Sequence, residues 1–412
     1  MAASMCYSCV RHFSKVSSLN ARPGYPPSLR TYETVLPRVP RILEGSEPQY
    51  PPIRPSITSG SVAGKKARRD AWIESLRCSE RPPEMIYQLQ KKQQWQHKVK
   101  PFNFQMGFSK YFRQLTKTVV VDDLPQQLES LMEEDYVSAE LNTLKDRFKE
   151  VLLTDAFSTY RHRPDKTSLD QEKSQTFAQN AVMFLLSYLG LKYSHLSSAV
   201  VDEQCLMKSF WERNEKRVQF IGNPVCSIRT KDPLGQFVPV SDELCQQEIE
   251  DWPWDPKELG IFPKCINSVC FPGFKYQPNN LHPHTQVYGL NFNKKRTVEL
   301  NIFQEIQENF GVMAGYAWLN ALGMYQHYCW FKDIPQPMTA QIIFTDGKSL
   351  SFYCYQANTL NLRDADNPLS NVCFQRLMVP MFTDIKDGVV RDFNEDALRL
   401  MLAFFINPTV KA

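Results

Sequence analysis

Gln341-Ile-Ile-Phe-Thr-Asp-Gly-Lys-Ser-Leu-Ser-Phe-Tyr-Cys-Tyr-Gln356 is the stretch that decides the fold. Two runs rich in β-branched and aromatic residues, Gln341 to Phe344 and Leu350 to Gln356, flank Thr345-Asp346-Gly347-Lys348. Such residues suit a pleated, half-buried surface, and an Asp-Gly pair supplies the positive φ that a tight hairpin turn needs. The stretch therefore predicts a hairpin over residues 340–356 at a buried edge, with Asp346-Gly347 as its tight turn.

Working outward, Val298 to Phe331 has the length and apolar content of one long buried helix. Ala314, Gly315, Ala317, Ala321 and Gly323 are small enough to let another element approach it closely. Downstream, Asn394 to Ile406 is an amphipathic helix with Asn394 as N-cap and Glu395 and Asp396 at the positive end of its dipole. Upstream, short strands are expected at Arg217 to Ile221 and Val225 to Arg229. Trp252-Pro253-Trp254-Asp255-Pro256 is an irregular loop, either a partner-contacting patch or local packing of aromatics on prolines. Leu124 to Leu153 carries helical periodicity, and Thr176 to Leu189 is a second helix with Gly190 as a left-handed cap.

The fold class is α+β: an extended N-terminal arm and a basic helical segment, then a mixed α/β body with a C-terminal β-hairpin and helices. The expected divisions are a presequence over 1–32, an extended arm over 33–64, a basic segment over 65–120, a helical region over 121–204 and an α+β domain over 205–412. The 412 residues are 42% hydrophobic and 22% charged, ordinary values for a globular protein with a sizeable core. No run of about eighteen apolar residues occurs, so no membrane insertion is expected.

Charge is segregated along the chain. Met1 to Tyr32 has no acid but holds Arg11, Lys15, Arg22, Arg30 and several serines, the composition of a mitochondrial transit peptide. The prolines between Pro23 and Pro55 keep the next segment extended. From Lys65 to Lys117 there are thirteen Lys or Arg against four acids, a net of +9; from Asp122 to Glu172 there are thirteen acids against six bases. Lys65, Lys66, Arg68, Arg69, Lys91, Lys92, Lys98, Lys100, Lys110, Arg113 and Lys117 are therefore the candidate RNA-binding residues. Lysine and arginine release condensed counterions from phosphates, and the interleaved Trp72, Tyr87, Trp95, Phe102, Phe104, Phe108, Tyr111 and Phe112 offer stacking surfaces. The competing reading is a solvated basic helix face whose aromatics point inward.

No catalytic pattern is present. Gly60-Ser-Val-Ala-Gly64-Lys65-Lys66 falls one residue short of a phosphate-binding loop and lacks its hydroxyl, so it is a linker. The seven histidines form no metal-like pair. Cys265, Cys270, His282 and His284 have the wrong spacing for structural zinc, and His282-Pro283-His284 fits a turn better. Cys329 and Cys354 fit buried apolar positions, and a nucleophilic role would need a nearby His and a lowered pKa. Neither a metal, a cofactor nor an enzyme activity is expected.

Several segments carry a resemblance. Tyr50-Pro51-Pro52-Ile53 precedes the basic segment. Tyr111-Phe112 and Leu115-Thr116-Lys117-Thr118-Val119 lead to Leu124-Pro125. Ala321, Met324-Tyr325-Gln326 and Trp330 lie late in the long helix. Thr345-Asp346-Gly347-Lys348, Ser351-Phe352, Cys354-Tyr355-Gln356 and Asn358-Thr359-Leu360 make the hairpin block, and Phe393-Asn394, Leu398 and Phe404 to Asn407 close the chain. With these the sequence resembles the S-thirty family of mitochondrial ribosomal proteins, also called programmed cell death protein nine and counted with the large subunit. The likeness runs from about Tyr50 to the C-terminus and is weak between about Glu150 and Pro263. It implies a structural constituent of the mitochondrial ribosome, located in the matrix. The implied partners are large-subunit ribosomal RNA, other ribosomal proteins and, as a heterodimer, the homologous mL-thirty-seven protein. It carries over no catalytic residue. The alternatives are an RNA-binding or assembly factor outside the mature ribosome, and an enzyme of unknown type.

Overall fold

The computed structural model describes residues 61–101, 104, 107–162, 169–213, 216–250, 255–289, 300–363 and 366–411. The presequence, residues 33–60 of the extended arm and Trp252-Pro253-Trp254 lie outside the described residues. The chain forms two units, Met1–Ala67 and Arg68–Ala412. Of the first, only residues 61–67 are described, and they begin helix α1 (Val62–Arg77). The stretch from Val62 to Lys66 is thus helical rather than a linker.

The second unit is α+β; among the described residues it has two large sheets and a two-stranded ribbon of Asp384–Lys386 and Val389–Arg391. In chain order its elements are α2 (Pro82–Lys91), β1 (Gln93–Val99), α3 (Ser109–Thr116), β2 (Thr118–Val121), α4 (Gln126–Glu133), α5 (Asp135–His162) and α6 (Leu169–Leu189). Then follow β3 (Val200–Glu203), β4 (Met207–Arg213), β5 (Lys216–Gly222), β6 (Cys226–Thr230), β7 (Pro263–Asn267) and β8 (His282–Gly289). The last third holds α7 (Leu300–Tyr325), β9 (Met338–Thr345), β10 (Ser349–Ala357), β11 (Asn371–Pro380) and α8 (Glu395–Ile406).

The hairpin of β9 and β10 lies inside a seven-stranded mixed sheet of order β2-β11-β10-β9-β8-β6-β3. Side chains alternate across a strand, so Tyr353 and Tyr355 enter one core with Phe310, Tyr316 and Trp318 of α7. Leu350, Phe352 and Cys354 enter a second core with α5, α6 and α8. Every residue of β10 is buried, which explains a strand with no polar alternation. The hairpin is therefore central rather than at an edge.

Its turn also differs from expectation. Thr345 pairs with Leu350, so Asp346 to Ser349 form a four-residue loop instead of a two-residue turn. The Asp346 carboxylate accepts from the backbone N–H groups of Lys348 (2.9 Å) and Ser349 (2.7 Å), and Gly347 has φ +95°. The side chain stabilises a wider loop that sequence pattern alone takes for a tight one. Gly347→Val should cost about 1 kcal/mol, because a β-branched residue resists this φ. A denaturation midpoint equal to wild type would count against this assignment.

Other local expectations are revised in the same way. The helical region expected over 121–204 holds two helices, α4 and α5, followed by α6, and its last residues form edge strand β3. His282 to His284 begin strand β8 rather than a turn. The long helix ends at Tyr325, short of Phe331. Gly190 is not left-handed: it stays in the helical hydrogen-bond pattern (N–H to Leu186 O, 2.9 Å), where a Cβ would lie 2.7 Å from that oxygen. Asn394 does cap α8, accepting from the Asp396 N–H at 3.0 Å, but α8 is buried over nearly all of its surface.

The second sheet has four strands in the order β4-β5-β1-β7. The basic segment is therefore not helical throughout, because β1 interrupts it. This strand runs parallel to β5 and antiparallel to β7. Beyond β7 the chain turns back, and Phe271 exchanges two backbone hydrogen bonds with Lys208 of β4 (2.7 and 2.8 Å). Cys270, fully buried there, accepts from the Phe210 N–H at 3.3 Å.

Candidate nucleic-acid interface

The structure sorts the eleven basic candidates by environment. In the first unit, Lys65 and Lys66 are exposed on α1. In the second, Arg68 and Lys91 are exposed. Arg69 is half-buried and donates to the carboxylate of Glu212, which also accepts from Arg217 Nε at 2.9 Å. One buried carboxylate thus neutralises part of two cations. The Lys92 ammonium sits 3.6 Å from the centre of the Trp72 ring, and partial burial holds its pKa below the ordinary lysine value.

Lys110 pairs with Glu250 at 2.9 Å, and Arg113 Nε donates to Glu308 at 2.8 Å. Lys117 is buried at the left-handed C-terminus of α3 (φ 49°), and its ammonium donates to the carbonyl of Asn367. Its role is to close α3 and lead into β2, so it is a structural residue. Most of the interleaved aromatics are structural too. Phe104, Tyr111 and Phe112 are core residues, whereas Tyr87 (66% exposed) and Trp95 (64% exposed) are open to solvent.

Lys98 and Lys100 come from β1 and the residue just after it. Strand pairing places Lys98 opposite Gln219 of β5, which faces Phe210 of β4. Lys208 lies two residues from Phe210, and Lys264 pairs with Gln96, two residues from Lys98. Alternation then puts Lys98, Lys208 and Lys264 on one face of the sheet. Burial lowers the Lys98 pKa, and the neighbouring Lys100, Lys208 and Lys264 lower it further. Lys208 and Lys264 lie more than a hundred residues from Lys98, outside the basic run, and no linear signal marks them.

The other chemistries are not assembled. Cys265 is exposed on β7, Cys270 is bonded to the backbone of β4, and His284 lies in the other sheet, with Nε2 donating to the Asn407 carbonyl (3.1 Å). Among the described residues no group of three or more His, Cys, Asp or Glu is placed to hold a metal. Burial raises the thiol pKa of Cys329 and of Cys354, the opposite of what a nucleophile needs. A depression of about 600 Å³ is lined by Lys231, Asn280, His282 and Gln326, with no carboxylate. Among the described residues no helix is long and apolar enough to cross a membrane.

Comparison with known proteins extends these observations. The family described as mitochondrial 28S ribosomal protein S30 (PDCD9) matches this chain over residues 28–218 and 212–409. The mouse protein named large ribosomal subunit protein mL37 is 22% identical over 321 residues, covering 72% of this chain and 71% of that protein.

Proposed function

Because the chain belongs to the mitochondrial ribosomal protein S30 (PDCD9) family, we propose that it is a non-catalytic structural constituent of the large subunit of the mitochondrial ribosome. The observation that carries this reading is the family match, which extends over almost the whole chain. The family description names a 28S particle and the mouse relative a large subunit, and the reading follows the relative. In this role the chain binds large-subunit ribosomal RNA through basic residues, among them the exposed Lys65, Lys66, Arg68 and Lys91 and the half-exposed Lys98 and Lys100. It contacts neighbouring ribosomal proteins, including a homologous protein of the mL37 type, and acts in the matrix after loss of its acid-free N-terminal segment.

The test is sedimentation of mitochondrial lysate through a gradient at high salt. The chain should travel with large subunits in constant ratio to their RNA. Migration with the small subunit, or release as free protein or as a light assembly complex, would refute the large-subunit assignment.

A further inference from the structure

We propose that Lys98, Lys208 and Lys264, gathered on one face of the four-stranded sheet by β1, β4 and β7, hold phosphates of an RNA strand. The inference rests on the ribosomal reading above, and it adds to Lys98 two residues, Lys208 and Lys264, that a charge count along the chain leaves out.

The strand register is the first support. Lys98, Gln219 and Phe210 share one cross-strand row, and Lys208 and Lys264 lie in the rows on either side of it. Exposure is the second: Lys264 is exposed, and Lys98 and Lys208 are half-exposed. The third is the missing counter-charge. Arg217 on the same face is matched by Glu212, whereas among the described residues no carboxylate forms an ion pair with Lys98, Lys208 or Lys264. The three lysines also have Lys100 nearby, close enough that the cluster weakens proton binding at Lys98.

Gathering like charges costs free energy in the isolated protein, and a polyanion reverses the sign of that interaction. Each ammonium on a phosphate also releases condensed counterions. Lysine is a point charge on a flexible stem, suited to phosphates without regard to base sequence. Membership of a ribosomal family favours RNA over an acidic protein segment as the polyanion.

The experiment measures binding of the full chain to polyuridine as a function of salt, with the fold of each variant checked by circular dichroism. For single strands each lost phosphate contact should lower the salt slope by about 0.7, so K208Q/K264Q should lower it by about 1.4. K208R/K264R should keep the wild-type slope. Lys264→Gln alone, at an exposed position that carries little folding risk, should lower it by about 0.7. An unchanged slope in K208Q/K264Q, with a loss in K65Q/K66Q, would overturn the inference and leave RNA binding by the chain intact. Wild-type protein that binds no polyuridine would overturn both the inference and the RNA contact proposed above. Polyglutamate that competes equally, with the same dependence on Lys208 and Lys264, would assign the face to an acidic protein segment and overturn the inference.

Discussion

Gly311→Val should destabilise the protein by about 3 kcal/mol or more, at the upper end of what overpacking a core costs. Helix α7 crosses the seven-stranded sheet so closely that a Cβ on Gly311 would lie 2.2 Å from ring carbons of Tyr353. One turn on, a Cβ on Gly315 would lie 2.6 Å from the ring of Tyr355. Neither ring has room to move. Tyr353 and Tyr355 are fully buried; the Tyr353 hydroxyl donates to Gln307 O at 2.8 Å, and the Tyr355 hydroxyl lies 2.6 Å from Thr118 Oγ. Relief would need α7 to lift off the sheet, which exposes both sides of that contact. Chemical denaturation reads the effect. Truncating the ring in the same chain, as Tyr353→Ala, should make the Gly311 substitution much less costly, a coupling expected only between residues in contact. Equal costs in both backgrounds would mean that the ring is not what forbids a side chain there.

The second large effect is acid lability centred on His284. This side chain is fully buried, and its pKa is pushed from 6.5 down to about 3, first by desolvation and then by the neighbouring His195. The two rings stack with centroids 5.4 Å apart. The carbonyl of Asn407 accepts from His284 Nε2 (3.1 Å), so Nδ1 carries no proton and accepts from the Thr285 hydroxyl (2.9 Å). The Thr285 oxygen in turn accepts from Gln341 Nε2 at 3.0 Å. A second proton on the ring would break this chain of donors and place a charge where water does not reach. The folded-state pKa lies below the unfolded one, so the stabilisation is complete above pH 6.5 and is lost as pH falls towards about 3. A drop from 6.5 to about 3 corresponds to roughly 4–5 kcal/mol over that window. Unfolding free energies of wild type and His284→Asn, measured from neutral to acid pH, isolate this residue from the titrating carboxylates. Wild type should lose more stability than the variant below pH 6.5, and parallel curves would refute the assignment.

The sequence by itself determined the features set by short-range physics. The apolar runs of α7 and α8, the Asn394 cap and the β-rich runs on either side of Asp346-Gly347 are local patterns, and these elements formed, with α7 ending six residues short of Phe331. The α+β class follows from the same patterns. The family, too, is legible in short segments such as Thr345-Asp346-Gly347-Lys348 and Cys354-Tyr355-Gln356, and the match over 28–218 and 212–409 agrees with them.

Tertiary structure alone decided which charges are available and which share a surface. Lys98 and Lys117 look equivalent in a charge run, yet one lies on a sheet face and the other is buried against Asn367. Lys264 lies far along the chain from Lys98, but the pairing of Gln96 with Lys264 makes them neighbours. The four-residue loop after Thr345, the central position of the hairpin and the burial of both faces of β10 were likewise hidden. The loop owes its width to the local Asp346 hydrogen bonds, and the other features share one reason. A strand's face, register and partner are fixed by hydrogen bonds to segments distant in sequence, and shifting the register by one residue reverses every side chain. A strand's own residues record which positions are apolar, but not which distant segment pairs with them.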